Sequence, residues 1–256
     1  MMRMLIKTLL ITSVFICCLC SCTEVANSSD SNSEVANSSD STKSISYNLI
    51  EKCYQKDNII IYYPQIEGYE NKEKEKEIND LFKKASERGL EFYKLEESEK
   101  KDLDLDVNYI VKYKSEKFIS VVFQGMGDKK GTAYPNHLFY TVNIDLDSAK
   151  RLTLLDLCEI NANFANVLLD KGKANAEQPD GALDYIKTAY EVDDIVRMLS
   201  YSDLVDPKYY WTTSYFTDDS IGISFEVIHA MGDHAECEIS YSEIDEFIKI
   251  NINKLS

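Results

Sequence analysis

Between Leu105 and Tyr113 the apolar residues fall on every second position: Leu105, Val107, Tyr109, Val111 and Tyr113, with Ile110 the one interruption. A period of two is that of a half-buried β-strand. The next run, KFISVVFQG from Lys117 to Gly125, is apolar on both sides of the same alternation. A third run, HLFYTVNIDL, starts at His137. Three successive strands joined by short polar stretches predict an antiparallel meander. That meander is the feature any fold of this chain must accommodate.

The flanking segments carry different periods. Upstream, DNIIIYYPQI is a β-rich run closing around Pro64 and reads as the first strand. In the charged stretch that follows, Ile78, Leu81, Phe82 and Ala85 recur at helical spacing, so the charges between them form a solvated face. After RLTLLDLC the helical period returns at Phe164, Val167 and Leu168, at Leu183, Ile186 and Tyr190, and at Ile195, Met198 and Leu199. Strand patterns resume with YYWTTSYF and IGISFEVI around the turn TDDS, then AECEIS. Ser240 and Glu243 have capping-box spacing and predict a closing helix with Ile244, Phe247, Ile248 and Ile252 on its apolar face. Helix blocks segregated from strand blocks predict an α+β fold with antiparallel sheets. The expected division is an N-terminal subdomain over residues 45–150 and a C-terminal one over 151–256, packed as one unit.

The first 44 residues read differently. Arg3 and Lys7 precede an apolar stretch from Leu9 to Leu19, too short for a membrane span and suited to an export signal over residues 1–21. It ends in Leu19-Cys20-Ser21-Cys22, the pattern at which a bacterial lipoprotein is lipidated and cleaved. Cys22 is the expected lipid-bearing residue, and the alternative is a plain cysteine-rich signal. Residues 22–44 hold EVANSSDS twice, with too little apolar content to order themselves, and read as a tether. A flexible segment of about 22 residues spans about 25 Å. The expected location is extracytoplasmic, lipid-anchored to the bacterial cell membrane.

Of 28 basic residues, Arg3 and Lys7 leave with the signal; 26 then face 44 acidic ones, a balance of −18. Such a chain repels nucleic acid and draws cationic partners. The sequence carries no H-E-x-x-H, G-x-S-x-G or G-x-x-x-x-G-K, and no cofactor is expected. FTDDS, from Phe216, resembles a deacetylase metal motif but reads as a hairpin turn, since only 36 residues follow Ser220. His229, Asp233 and His234 in HAMGDH have no recognised metal spacing, so no metal site is expected. Acidic pairs are too numerous to mark a glycosidase. Cys53, Cys158 and Cys237 allow one disulfide at most, and the latter two sit in apolar contexts that suit buried thiols.

IIIYYPQI, the segment from Glu116 to Leu157 and that from Tyr215 to Ile248 together resemble the PdaC/RsiV-like extracellular domain, domain of unknown function 3298 with its N-terminal partner domain 4163. Tyr63-Pro64, Asn143-Ile144-Asp145-Leu146, Leu152-Thr153-Leu154 and Tyr241-Ser242-Glu243-Ile244 carry the resemblance, which spans about residues 55 to 252. Tyr134 stands where that family commonly has His. The resemblance implies an exported module that binds lysozyme in one member, an anti-sigma factor, and precedes a polysaccharide deacetylase domain in another. The expected function is therefore binding of peptidoglycan or of a cationic protein; the alternative is an enzyme or accessory protein acting on wall polysaccharide. The Gly-rich stretch from Gly125 to His137 reads as a loop on a rigid sheet, where binding commonly resides. Its candidate ligand-binding residues are Met126, Tyr134, Pro135 and His137.

Overall fold

The computed structural model describes residues 46–174, 181–204 and 212–250. Among these residues ten strands form two sheets. The first holds β1 (Asn48–Lys56), β2 (Ile59–Glu67), β3 (Leu103–Lys114), β4 (Phe118–Lys129), β5 (Asn136–Asp145) and β6 (Lys150–Leu152), side by side in chain order. The second has the order β7 (Lys173–Ala174), β10 (His234–Ser240), β9 (Ser220–Glu226), β8 (Thr213–Phe216). With its helices this is an α+β fold. The expected meander is β3–β4–β5, antiparallel throughout, with a bulge between Val111 and Tyr113.

Three features depart from expectation. The run DNIIIYYPQI holds the second strand and not the first: DN forms the turn of a β1–β2 hairpin, in which Asp57 has φ 53. Next, β2 pairs with β3 in parallel over Ile59–Ile61 and Leu105–Val107, so the first sheet is mixed. The crossover carries α1 (Lys72–Ser86) and α2 (Arg88–Tyr93), and a parallel pair needs such a long connection. Finally, the closing segment is not an α-helix. It forms two single 3-10 turns, Tyr241–Glu243 and Asp245–Phe247. Its backbone is taken by tertiary partners: Glu159 N–H donates to Phe247 O, Lys249 N–H donates to Leu157 O, and Cys158 bridges Ile248. The Ser240 hydroxyl lies against Ser242 Oγ instead of capping. Ile252 lies outside the described residues, as do Tyr209–Trp211 of the expected YYWTTSYF strand.

α1 forms because its ends and its face agree. Asn71 accepts from the N–H groups of Glu73 and Lys74, acids lead, lysines close, and Ile78, Phe82 and Ala85 are buried. This face packs on one side of the first sheet with Ile119, Val121, Phe123, Tyr140 and Val142. The remaining helices are α3 (Leu154–Leu157), α4 (Ala162–Lys171), α5 (Ala182–Ala189) and α6 (Val192–Ser200). They pack with β9 and β10 in a second core around Phe164, Ile195, Leu199, Ile223 and Cys237. Val122, Phe139 and Tyr215 form a small third cluster. The double-sided apolar run of β4 now has its cause: Ile119, Val121 and Phe123 face the core under α1, whereas Val122 faces the third cluster and Ser120 meets β8.

Polar groups stitch the junction. Asp203, buried and in a left-handed conformation (φ 68), accepts from Ser214 N and Oγ, Thr141 Oγ1 and Leu154 N. Cys53, Cys158 and Cys237 are all free thiols, the first exposed and the others buried.

Candidate functional site

The chain has three histidines, and all three line one cleft of about 300 Å³ between the start of β5 and the β9–β10 connection. His137 is the second residue of β5; His229 opens a 3-10 turn (His229–Met231); His234 begins β10. Two consecutive left-handed residues, Gly232 (φ 92) and Asp233 (φ 69), reverse the chain between the latter two. Glycine tolerates that conformation and Asp adopts it more readily than bulkier residues. The turn brings the Asp233 carboxylate into a central position. Oδ1 lies 2.8 Å from His229 Nδ1, and Oδ2 accepts the backbone N–H of His137 at 2.7 Å. One carboxylate thus ties residues 96 positions apart in sequence across the two sheets.

Aromatic rings stack on the imidazoles. Tyr134 lies on His229 with centroids 5.7 Å apart, and Phe139 on His234 at 4.8 Å. Glu226, Ile228, Phe92 and Leu138 complete the working part of the wall. No lysine or arginine occurs among the described lining residues. Beneath the cleft, Tyr215 donates toward Glu238 Oε1 (2.7 Å) and lies 3.0 Å from Glu236 Oε2; burial first, then these carboxylates, push its pKa well above the usual phenol range. His234 Nε2 stands 3.6 Å from Glu236.

The stretch expected as a Gly-rich loop is shorter than the sequence suggests. β4 runs through to Lys129, so Gly125 and Gly127 stand inside a strand. A Cβ at Gly125 would enter the β3 backbone at Asp106, and one at Gly127 would enter the Tyr93 ring, whose hydroxyl donates to Gly127 O at 2.8 Å. These glycines serve close packing. Of the candidate residues, His137 lines the cleft. Tyr134 stands at its edge, 68% exposed and stacked on His229. Met126 is the cross-strand partner of His137 and 49% exposed. Pro135 is half-buried and is not among the lining residues.

The HAMGDH segment, read separately from His137 in the sequence, belongs to the same site; the only linear signal was the local clustering of its polar residues. No group of three His, Cys, Asp or Glu that could hold a metal occurs among the described residues. Asp218 and Asp219 are exposed in the β8–β9 turn, where Thr217 Oγ1 donates to Asp219 at 3.1 Å. Cys22 and the tether lie outside the described residues, among which no helix is long and apolar enough to cross a membrane.

Two sheets joined edge to face, with a histidine-lined cleft at the junction, define this as an α+β module. The fold is that of a DUF3298 family member from Bacteroides fragilis NCTC 9343: TM-score 0.50, 13% identity, 82% of this chain and 97% of that one covered. A DUF3298 family protein from Pseudomonas aeruginosa PAO1 aligns at TM-score 0.43 and 12% identity, over 80% and 94% of the two chains. At such identities the likeness concerns the fold alone. No family model matches the chain, and no curated protein matches it.

Proposed function

We propose that this chain is a lipid-anchored, extracytoplasmic binding module that engages a cationic protein or cell-wall material, with the cleft at the sheet junction as its contact site. The observation that carries this reading is the convergence of His137, His229, His234 and Asp233 beside the exposed Tyr134. The Leu19–Cys22 pattern supports the anchor, the two EVANSSDS repeats support the tether, and the acidic balance favours a cationic partner. An exposed aromatic beside partly buried charge is the kind of surface that gives an interface its specificity, whereas net charge alone raises the encounter rate.

Lysozyme is the first partner to test. Calorimetric titration of the mature chain, made soluble by Cys22→Ala, is run at low salt and again at about 0.15 M, where the Debye length is about 8 Å. Binding that survives salt and weakens in Tyr134→Ala supports a specific site. Binding that vanishes with salt reduces the interaction to charge attraction and removes lysozyme as the partner.

A further inference from the structure

The cleft described above holds carboxylates and imidazoles among its titratable side chains. Its described lining residues include the carboxylates of Glu226 and Asp233 and no lysine or arginine. Asp233 is only 16% exposed, so its charge acts in partly desolvated surroundings where electrostatic interactions are stronger than in water. Among the described residues each of its oxygens has one hydrogen-bond partner, His229 Nδ1 or the His137 N–H, and a carboxylate oxygen accepts two hydrogen bonds. An acceptor position therefore remains on each oxygen for an incoming donor.

The rim supplies the other half of the complementarity. Tyr134 (68% exposed), Ile228 (52%) and Met126 (49%) are three of the six large apolar side chains exposed on the described surface. Ile228 lines the cleft, Tyr134 stacks on its wall residue His229, and Met126 is paired across the sheet with His137. A cationic head in the cleft with an apolar stem along this rim satisfies both features. Aromatic faces add cation–π attraction. A wall amine carried on a sugar would instead bring hydroxyl groups that three apolar side chains leave without partners. The cleft volume of about 300 Å³ suits one inserted side chain.

We infer that the cleft receives a lysine or arginine side chain of a partner protein, its ammonium or guanidinium group on Asp233 and its methylenes against Tyr134 and Ile228. This rests on the reading of the module as a binding one and adds the chemical group that is recognised.

The three histidines are the means of testing it, because every imidazole of the chain lies at the cleft. The mature protein is labelled on histidine and titrated in about 0.15 M salt with N-acetyl-lysine methylamide, and separately with N-acetyl-norleucine methylamide, which keeps the stem and lacks the charge. The lysine derivative is expected to shift the imidazole signals to saturation, while the norleucine derivative at equal concentration leaves them in place. Asp233→Asn is expected to weaken binding about tenfold, the loss of a charge-assisted hydrogen bond. Tyr134→Ala, at an exposed position that the fold does not need, is expected to weaken it about threefold. Equal shifts with norleucine, no shifts with lysine, or unchanged affinity in both variants would overturn the inference. So would a muropeptide amine that binds more tightly than the lysine derivative. A failed lysozyme titration alongside a successful lysine one removes that partner and leaves the cleft. Lysozyme binding without any imidazole shift removes the cleft and leaves the binding role.

Discussion

Phe216 donates its backbone N–H to the hydroxyl of Ser120 at 3.1 Å, in the interior and 96 residues away in sequence. Phe216 lies on β8, an edge strand of the second sheet, and Ser120 on β4, in the middle of the first. On the same edge Ser214 N–H donates to Asp203, and Ser214 O accepts from Asn143 Nδ2 at 2.9 Å. Side chains of one sheet thus pair the free edge of the other. An unpaired edge strand is both a buried hydrogen-bonding liability and a template for aggregation.

Ser120 also donates to Asn143 Oδ1 at 2.7 Å, so its removal strands two groups. Ser120→Ala is expected to lower stability by about 1–3 kcal/mol, the cost of a buried group left without its partner. The urea midpoint should fall with no change in slope, since both states keep their surface. An unaltered midpoint would show that water replaces the hydroxyl and that the junction does not depend on it.

Gly222 faces Tyr215 across β8 and β9, and a Cβ there would lie inside the Tyr215 ring. The ring cannot yield easily, because it is fully buried and held at Glu238 and Glu236. Gly222→Ala is expected to cost about 1–3 kcal/mol through overpacking. Near-ultraviolet circular dichroism should register the displaced tyrosine; a native spectrum and melting point would refute the clash.

Burial pushes the thiols of Cys158 and Cys237 up to about 12, from an ordinary 9.0. At pH 8 the reactive thiolate is then about one part in ten thousand of each. Peptide mapping after brief alkylation of the folded chain should find Cys53 modified and these two intact; all three react once the protein is unfolded. Below pH 9 both states hold the protons. Between 9 and 12 the unfolded chain releases them first, so the stability contributed by these thiols is lost as pH rises through that window. Urea midpoints measured from pH 8 to 11 should fall for the native chain.

Cys22→Ala is expected to release the protein from membranes into the soluble fraction. A diacylglycerol supplies two chains, enough for stable anchoring where a single acyl chain is marginal. Labelled palmitate that remains on the Cys22→Ala protein would rule this residue out.

Much of the fold was readable because its signals are local. The alternation from Leu105 to Tyr113 needs nothing beyond strand geometry, and the spacing of Ile78, Leu81, Phe82 and Ala85 nothing beyond the pitch of a helix. The double-sided apolar run of β4 announced cover on both faces, and Thr217–Ser220 announced a hairpin. The Ser240–Glu243 capping box failed for a physical reason: pairing of Phe247, Ile248 and Lys249 with Leu157, Cys158 and Glu159 competes with helix formation and wins. The parallel pairing of Ile59–Ile61 with Leu105–Val107 likewise depends on where α1 and α2 lead the chain.

The candidate site was legible only in fragments. Tyr134 and His137 stood in one segment and HAMGDH in another, and nothing in the intervening residues relates them. By itself the sequence determined the strands of the meander, the helix over Ile78–Ala85, the charge of the chain and the identity of three scarce imidazoles. Tertiary structure alone decided that those imidazoles meet. The β9–β10 connection reaches the start of β5 because β8 is bound edge to face against β4 and β5, and Asp233 then closes on the His137 N–H. Hydrogen bonds between such distant residues follow from packing the edge of one sheet on the face of the other, and no local period encodes them.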